Sequence, residues 1–269
     1  LELKARQWTE TNHSCGLLVQ PANQSQHLAE HLLEKKYSLV PDINITPPGT
    51  IIIDLAPEED TLFKNLTKPK RKNIRRAIKE QVTFKVGKTH DCLNIFYQLY
   101  LNTSSYLEFE PDSIERFENI WDNLSPKGHI LFFTCYFQDQ PVSSIMALSF
   151  CKTIFSHRFG WSKAYPEKRP NDYLYWETIR WAKQNGYRYF DFGEIHLDAA
   201  RKFTQTDVVP PEYTKSIESF KMGFGGKAVL YPETYIYIQN SVFRWLYRNI
   251  IVYFIDFPPV QKLLSTVSG

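Results

Sequence analysis

The chain has 269 residues, of which 43% are apolar and 23% charged, as in ordinary folded proteins and unlike disordered or collagen-like chains. The formal net charge of +3 is too small to require a polyanionic partner, and the four scattered cysteines form no CxxC pair. A disulfide framework or a zinc site is therefore not expected, and no metal is predicted. The sequence shows no signal-peptide pattern and no apolar run of about 20 residues, so we expect a cytoplasmic protein.

The first half of the chain predicts helices separated by short strands. Residues 1–10 resemble the end of a helix, and we therefore expect that an upstream portion of the protein precedes them. A strand is expected at 16–20 and an amphipathic helix at 25–36, and the apolar run TIIIDL at 50–55 predicts a buried strand. The elements expected next are helices at 57–66 and 69–80, a strand at 82–87, and helices at 90–106 and 112–123.

The second half predicts an antiparallel meander followed by a helix and a further strand. Three strands are expected at 129–138, 141–150 and 152–161, with a tight Gln-Asp-Gln-Pro turn joining the first two. A helix at 171–185 should end at Gly186, because glycine accepts the left-handed conformation of a helix C-terminus. A strand at 187–192, a loop, a helix and a final strand complete the pattern. This order predicts an α/β (α+β) fold with a mixed, mostly antiparallel sheet flanked by helices.

Four segments in this order resemble the Fem family of aminoacyl-tRNA-dependent transferases, whose domains have a GNAT-like acyltransferase fold. The segments are GLLVQP (16–21), TIIIDL with KPKRKNIRRAIKEQVTFKVG (68–87), HRFGWSKAYPEKRPNDYLYWETIRWAKQNGYRYFDFGEI (157–195) and SFKMGFGG (219–226). The resemblance covers about residues 15–240. It implies a partial first GNAT-like domain at 1–55, a complete second one at 56–238 with a basic helical segment at 64–88, and an aromatic helical segment at 239–269.

The resemblance also implies an activity. Fem enzymes transfer an amino acid from aminoacyl-tRNA to an amine of a peptidoglycan precursor, without coenzyme A or another cofactor. Two alternatives stay open: a coenzyme A-dependent N-acyltransferase acting on a small amine or sugar, and a non-catalytic RNA-binding module of the same fold. The stretch WSKAYPEKRPNDYLYW has two prolines and no glycine, which argues against the glycine-rich loop that cradles the coenzyme A pyrophosphate at a helix N-terminus.

Lys221 and Asp191 are the candidate catalytic residues. Lys221 matches the lysine of the Phe-Lys motif of the family, which implies that it meets the tRNA 3′ end or the developing negative charge; the alternative is a solvated lysine at a helix end. Asp191 lies at a strand end, where a carboxylate can orient or deprotonate an amine, or merely cap a loop. The other expected substrate-binding residues are Phe220, Glu194, Gly193, Tyr173, Arg158 and Lys163.

A basic run is the clearest electrostatic feature of the sequence. Between Lys64 and Lys88 there are ten Lys or Arg residues and one acid, Glu80. Helical spacing places several of them on one cationic face, which suits phosphate contacts to RNA but is also typical of a solvated surface. The residues expected to bind tRNA or phosphate are Arg71, Lys72, Arg75, Arg76 and Lys79.

The aromatic segment 241–264 is too interrupted to span a bilayer. It suits either a peripheral contact with the inner face of the membrane or packing against a first domain.

The stretch 100–111 lacks the arginine that binds precursor phosphates in some Fem enzymes. Arg158, Lys163 or Arg169 could supply that charge, and the sequence does not choose among them.

Overall fold

The computed structural model of the chain describes residues 14–21, 26–40, 48–206 and 210–250. Residues 1–10, expected to end a helix, and most of the C-terminal segment lie outside these ranges. The chain divides into two compact units: residues 1–48 with 230–269, and residues 49–229. None of the described helices is long and apolar enough to cross a membrane.

Ten strands and nine helices make up the described residues. The strands are β1 (Gly16–Val19), β2 (Ser38–Val40), β3 (Gly49–Asp54), β4 (Thr83–Gly87), β5 (Ile130–Phe137), β6 (Gln140–Phe150), β7 (Thr153–Trp161), β8 (Tyr189–Ile195), β9 (Lys227–Leu230) and β10 (Thr234–Ile238). The helices are α1 (Gln26–Glu34), α2 (Glu59–Asn65), α3 (Lys68–Lys79), α4 (His90–Leu107), α5 (Ile114–Leu124), α6 (Pro170–Gln184), α7 (Leu197–Gln205), α8 (Ile217–Met222) and α9 (Ser241–Asn249).

The smaller unit is built on an antiparallel sheet of three strands in the order β1-β10-β2. Helix α1 contributes Leu32 to a small core with Tyr37 and Tyr235. Helix α9 is anchored by Tyr247, which is buried against Val40. This unit therefore has its own apolar core, formed by segments from both ends of the chain.

The larger unit contains a seven-stranded sheet in the order β4-β5-β6-β7-β8-β3-β9. Strands β5 to β7 form the expected antiparallel meander, and β4 pairs antiparallel with β5. Gln138 and Asp139, between β5 and β6, both have positive φ angles, as two-residue hairpin turns require. The fold class predicted from the sequence, a mixed and mostly antiparallel sheet flanked by helices, is confirmed.

Strands β7 and β8 are parallel and are connected by α6, which crosses over the sheet. Gly186 follows the helix with a φ of 76°, so it ends α6 as predicted. The two strands pair only at their beginnings, where residues 153–155 lie beside residues 189–191. Beyond these pairs β7 continues to Trp161 and β8 to Ile195 without mutual pairing. The parallel pair thus opens into a cleft.

The structure places two strands differently from the predicted domain boundaries. Strand β3, assigned to the first domain at 1–55, pairs with β8 in the large sheet, and its Ile51 and Ile53 are buried in the large core. Strand β10, assigned to the domain at 56–238, pairs with β1 and β2 of the smaller unit. Chain order alone cannot reveal such pairings, because the partner strands are far apart in the sequence. That the smaller unit is the remnant of a first GNAT-like domain stays a prediction.

Candidate active site

A cavity of about 500 Å³ lies where β7 and β8 diverge. Its walls come from β7, β8, α4, α6 and α8, and from the segment between α4 and α5. The lining residues are Tyr100, Thr103, Leu107, Phe109, Glu110, Asp112, Ser156, His157, Arg158, Phe159, Tyr175, Phe192, Glu194, Ile217 and Lys221. Three expected residues, Lys221, Glu194 and Arg158, are thereby brought to one cavity.

Lys221 enters this cavity from α8. Its Nζ donates a hydrogen bond of 2.6 Å to the backbone carbonyl of Glu194. Burial lowers the pKa of the Lys221 ammonium from its ordinary 10.5 to about 8, against the opposing effect of carboxylates at Glu218, Asp191 and Glu194. The side chain is therefore mostly an ammonium at neutral pH but is close to losing its proton. Such a group can stabilise a negative charge that develops beside it.

Asp191 is buried on β8 and forms part of a hydrogen-bond network. Its Oδ1 accepts hydrogen bonds from the Thr50 hydroxyl and from the Gly193 N–H, the latter at 2.8 Å. The Thr50 oxygen also lies 2.8 Å from the Gly193 carbonyl. Asp191 does not line the cavity, so in this structure it supports the cavity wall through Gly193.

Gly193 produces an irregularity in the sheet that shapes the site. It has a φ of 74°, and the pairing of β3 with β8 shifts between Thr50 and Ile52. An added side chain there would approach the Ser156 carbonyl to 2.8 Å. Glycine is therefore required by both the left-handed conformation and the close approach of β7. The bulge turns the end of β8, including the Glu194 carbonyl that Lys221 contacts.

Arg158 lines the same cavity but is held by Asp112. Its Nε and Nη2 lie 3.2 and 3.1 Å from Asp112 Oδ2, and Arg116 contacts the same carboxylate. The Tyr100 hydroxyl also lies 3.5 Å from it. Arg158 therefore presents a compensated charge, with its Nη1 directed to a backbone carbonyl of β7.

His157 is a cavity residue that the sequence analysis did not identify. The register of β6 and β7 shifts so that Met146 pairs with Arg158 and Ala147 with Ser156, which leaves His157 as the extra residue of a bulge. Burial, with a smaller contribution from Arg158, lowers the pKa of His157 to about 4. Its imidazole is thus neutral at physiological pH and can accept a hydrogen bond. Only the pairing register reveals this residue, so no sequence motif pointed to it.

A different tyrosine of α6 from the one expected lines the cavity. Tyr173 was expected to line the groove, but it packs against the core, where burial raises its pKa to about 12. Tyr175 lines the cavity instead and stacks on Phe159 and Phe192. Its hydroxyl is hydrogen-bonded to Ser156, and burial raises the pKa of Tyr175 to about 12. Positions two apart on a helix point to different sides, and the cavity lies on the side of Tyr175.

Phe220, the neighbour of Lys221, lines a second cavity of about 850 Å³. This cavity lies beside the N-termini of α3 and α6. A buried ion pair between Lys70 and Asp172, with a separation of 2.8 Å, forms part of its wall. The ring of Phe220 also packs edge-on against Tyr175, which belongs to the first cavity. Helix α8 thus contributes adjacent residues to two cavities.

Of the remaining expected residues, Arg169 lines the larger cavity and the others lie outside both cavities. Lys163 is exposed and its Nζ lies 4.0 Å from the centre of the Tyr106 ring. Arg71 donates hydrogen bonds to the carbonyls of Lys64 and Leu66, so it caps the end of α2. The other four predicted residues, Lys72, Arg75, Arg76 and Lys79, are exposed along α3. Four of the five predicted phosphate-binding residues are therefore accessible.

The sequence profile of a family described as an acetyltransferase (GNAT) domain matches residues 67–201. The chain belongs to this family. The matched segment runs from the start of α3 to α7 and includes both walls of the strand cleft. As a member of the GNAT family, the protein is a transferase. The cavity between the diverging parallel strands agrees with this assignment. No curated protein matches the sequence.

Solved structures confirm the Fem-like fold. The chain is similar to FemX, with a TM-score of 0.76 and 14% identity over 92% of this chain and 77% of that chain. It also resembles L-PGS from Bacillus licheniformis, with a TM-score of 0.58 and 16% identity over 93% of this chain and 77% of that chain. A third neighbour is the C-terminal domain of a putative lysylphosphatidylglycerol synthetase from Agrobacterium fabrum (TM-score 0.55, 14% identity, 90% and 74% covered).

The N-terminus of α6 bears on which donor the site accepts. Its first residue, Pro170, has no N–H, and its third, Asp172, places a carboxylate that is 7% exposed beside Lys70. A helix N-terminus binds phosphate through free N–H groups and its positive dipole end. Here a side-chain carboxylate of the protein already lies near that end. In the part of the chain that the structure describes, no group of three or more metal-ligating side chains is found.

Proposed function

We propose that this protein transfers an aminoacyl group from aminoacyl-tRNA to an amine of a peptidoglycan precursor. The observation that carries the proposal is the position of Lys221. Its ammonium lies in the cleft between β7 and β8, with a pKa lowered to about 8, next to the carbonyl of Glu194. Reaction of an amine with an ester requires stabilisation of an oxyanion at such a place.

The transfer consists of one bond formed and one broken. The nitrogen of a neutral acceptor amine attacks the carbonyl carbon of the aminoacyl ester, and the carbonyl oxygen becomes negative. Lys221 stabilises that charge as an ammonium. The bond to the ribose oxygen of the tRNA then breaks, and the proton lost by the amine ends on that oxygen. The neutral imidazole of His157 provides a hydrogen-bond acceptor in the same cavity to orient the amine.

Two features support a tRNA donor over coenzyme A. The N-terminus of α6 combines Pro170 with the carboxylate of Asp172, which is unfavourable for a bound diphosphate. Helix α3, which begins beside the larger cavity, exposes Lys72, Arg76 and Lys79. These side chains offer backbone phosphate contacts without aromatic residues that would read bases.

Two features leave room for a peptidoglycan precursor as the acceptor. The cavity contains the carboxylates of Glu110 and Glu194, which attract an amine that is protonated before it reacts. Its volume of about 500 Å³ accommodates a side chain with its terminal amine. The protein acts in the cytoplasm, where charged tRNA and the nucleotide-linked precursors are found.

A second candidate function is a coenzyme A-dependent N-acyltransfer to a small amine or sugar. The match to the acetyltransferase (GNAT) domain family favours it. In that case the diphosphate would have to displace Asp172 from Lys70 at the N-terminus of α6. The two functions share Lys221 and differ in the donor, so a comparison of donors separates them.

The test is transfer of a radiolabelled amino acid from a charged tRNA pool to nucleotide-linked and lipid-linked muropeptides, with labelled acetyl-CoA in parallel. The full chain is compared with Lys221→Ala and with Lys127→Ala, which removes an exposed lysine far from the cleft in sequence. We expect label to move from tRNA, and the rate to fall about 100-fold in Lys221→Ala alone.

Other outcomes would identify the alternatives. Label moving only from acetyl-CoA would replace the proposal with the coenzyme A-dependent reaction. If neither donor transferred its label while charged tRNA still bound, the chain would be an RNA-binding module. Equal rates in both lysine variants would remove Lys221 from the mechanism.

A further inference from the structure

A buried ion pair lies directly beside the residue that precedes Lys221. Lys70 of α3 and Asp172 of α6 are each 7% exposed, and Lys70 Nζ lies 2.8 Å from Asp172 Oδ1. The other carboxylate oxygen of Asp172 accepts a hydrogen bond of 3.3 Å from Asn73 Nδ2. The pair thus joins α3 to α6 at the wall of the larger cavity, with both side chains almost fully buried.

The same ammonium also contacts α8. Lys70 Nζ lies 3.1 Å from the centre of the Phe220 ring and 4.4 Å from that of Phe224. Its aliphatic part is packed tightly, since a Cβ added to Gly223 would lie 2.9 Å from Lys70 Cε. The Thr67 N–H, at the start of α3, donates a hydrogen bond of 2.9 Å to the Gly223 carbonyl. Three helices therefore meet at one ammonium group.

The chemistry of this pair is better suited to fixing a position than to adding stability. Two charges taken out of water lose hydration, and apolar side chains of similar size often stabilise a fold as well or better. An ammonium over a ring, however, has a preferred position relative to that ring. Because Phe220 precedes Lys221 in a helix of six residues, the position of one ring restricts the position of the lysine.

We propose that Lys70 and Asp172 are positioning residues that hold Phe220, and through it Lys221, at the cleft between β7 and β8. The inference rests on the proposed role of Lys221 but concerns residues that the transfer chemistry itself does not use. Asp172 fixes the ammonium of Lys70, the ammonium fixes the ring of Phe220, and α8 carries the constraint to the next residue. The burial that lowers the pKa of Lys70 to about 8 agrees with an ammonium enclosed by these groups.

The test combines hydrogen exchange with steady-state kinetics of the full chain. Lys70→Met removes the charge at similar length, and Lys70→Arg keeps it. Lys70→Met leaves the buried Asp172 carboxylate without its cation, so some general loss of stability is expected. We expect amide exchange in residues 217–224 to rise about tenfold more than in residues 114–124 of α5. We also expect kcat to fall about tenfold or more while KM changes less, because a misplaced Lys221 affects the transition state most. Lys70→Arg should restore both.

Lys202→Met is the matched control, because it also breaks an ion pair of 2.8 Å, with Glu212, but an exposed one. It should change neither measurement. Unaltered exchange at 217–224 in Lys70→Met would overturn the proposal. It would also be overturned if exchange in α5 rose as much as exchange at 217–224, because that result indicates general destabilisation. Local loosening of α8 with an unchanged kcat would also overturn it. If no chain transfers an amino acid, the proposed function fails, but the exchange data still decide whether Lys70 positions α8.

Discussion

Lys70, which packs against α8, and Lys221, which lies in α8, have similarly lowered pKa values but different surroundings. Burial lowers the pKa of both Lys70 and Lys221 to about 8. Lys70 is enclosed by a carboxylate and two aromatic rings, whereas Lys221 donates to a backbone carbonyl at the wall of a cavity. A perturbed pKa therefore marks both, and the partners distinguish a lysine that packs from one that can meet a ligand.

The two lysines also differ in the partner group that would remain after each is substituted. The partner of Lys70 is a buried carboxylate, whose charge requires compensation. The partner of Lys221 is the Glu194 carbonyl at a solvated cavity, where water can replace the ammonium. We therefore expect changes on the Lys70 side to affect stability first, and changes on the Lys221 side to affect chemistry first.

The largest effect on stability is expected for Asp172→Ala. It leaves the ammonium of Lys70 buried without its carboxylate, which typically costs about 3–5 kcal/mol of unfolding free energy. Urea denaturation followed by circular dichroism measures it. Glu212→Ala, which breaks the exposed pair with Lys202, should leave the unfolding free energy nearly unchanged. Equal losses in the two variants would mean that burial does not distinguish these ion pairs.

A smaller effect is expected for Thr50→Val in the network of Asp191. Thr50 is 1% exposed, and its hydroxyl donates to that carboxylate, as does the Gly193 N–H. Its loss leaves a buried acceptor less satisfied, which costs about 1–3 kcal/mol. Because the bulge at Gly193 sets the position of Glu194, transfer should slow as well.

The matched control for Thr50→Val is Thr178→Val on α6. The Thr178 hydroxyl is also buried but donates only to a carbonyl of its own helix, that of Leu174. Its removal should cost less, about 1 kcal/mol, with an unchanged transfer rate. If Thr178→Val slowed transfer as much as Thr50→Val, the network around Asp191 would have no particular link to the site.

Much of the fold and part of the site followed from the sequence. The meander, the crossover helix and the turn at Gly186 have local signals in hydrophobic period and turn residues. Lys221 and Glu194 were found because a motif and a strand end pointed to them. Helix α7 was expected as a loop, since its short apolar pattern in LDAARKFTQ is weak.

The rest of the site depends on contacts between distant segments. The pairing of Lys70 with Asp172 joins α3 to α6, and the sequence showed Lys70 only as one of ten basic residues. His157 was identified only from the pairing register of β6 and β7. A slip of one residue in that register would turn its side chain to the other face of the sheet. Tyr173 was expected at the site and Tyr175 was not identified, because the phase of a helix cannot be fixed without knowing where the cavity lies.

The smallest effect is expected for Lys163→Ala, because Lys163 belongs neither to the surroundings of Lys70 nor to those of Lys221. Lys163 is exposed and contacts Tyr106 through a cation–π interaction. Its removal should change the unfolding free energy by no more than about 0.5 kcal/mol and leave the transfer rate unchanged. A clear loss of transfer would place the acceptor-binding surface at Tyr106 and extend the site beyond the cavity.

The central claim is that the ammonium of Lys221 stabilises the charge that develops during transfer. Its pKa of about 8 means that the ammonium is present below that pH and is lost as the pH rises through it. In Lys221→Arg the guanidinium stays charged over the whole range. Deprotonation of the acceptor amine affects both proteins equally, so it cancels in the ratio of their rates.

The most direct test is therefore the single-turnover rate of aminoacyl transfer from pH 6 to about 9.5, measured in the native protein and in Lys221→Arg. We predict that the native rate falls relative to that of the arginine variant as the pH passes about 8, in line with the pKa of Lys221. A ratio that stays constant across this range would contradict the claim, because the reaction would then not depend on the charge at residue 221.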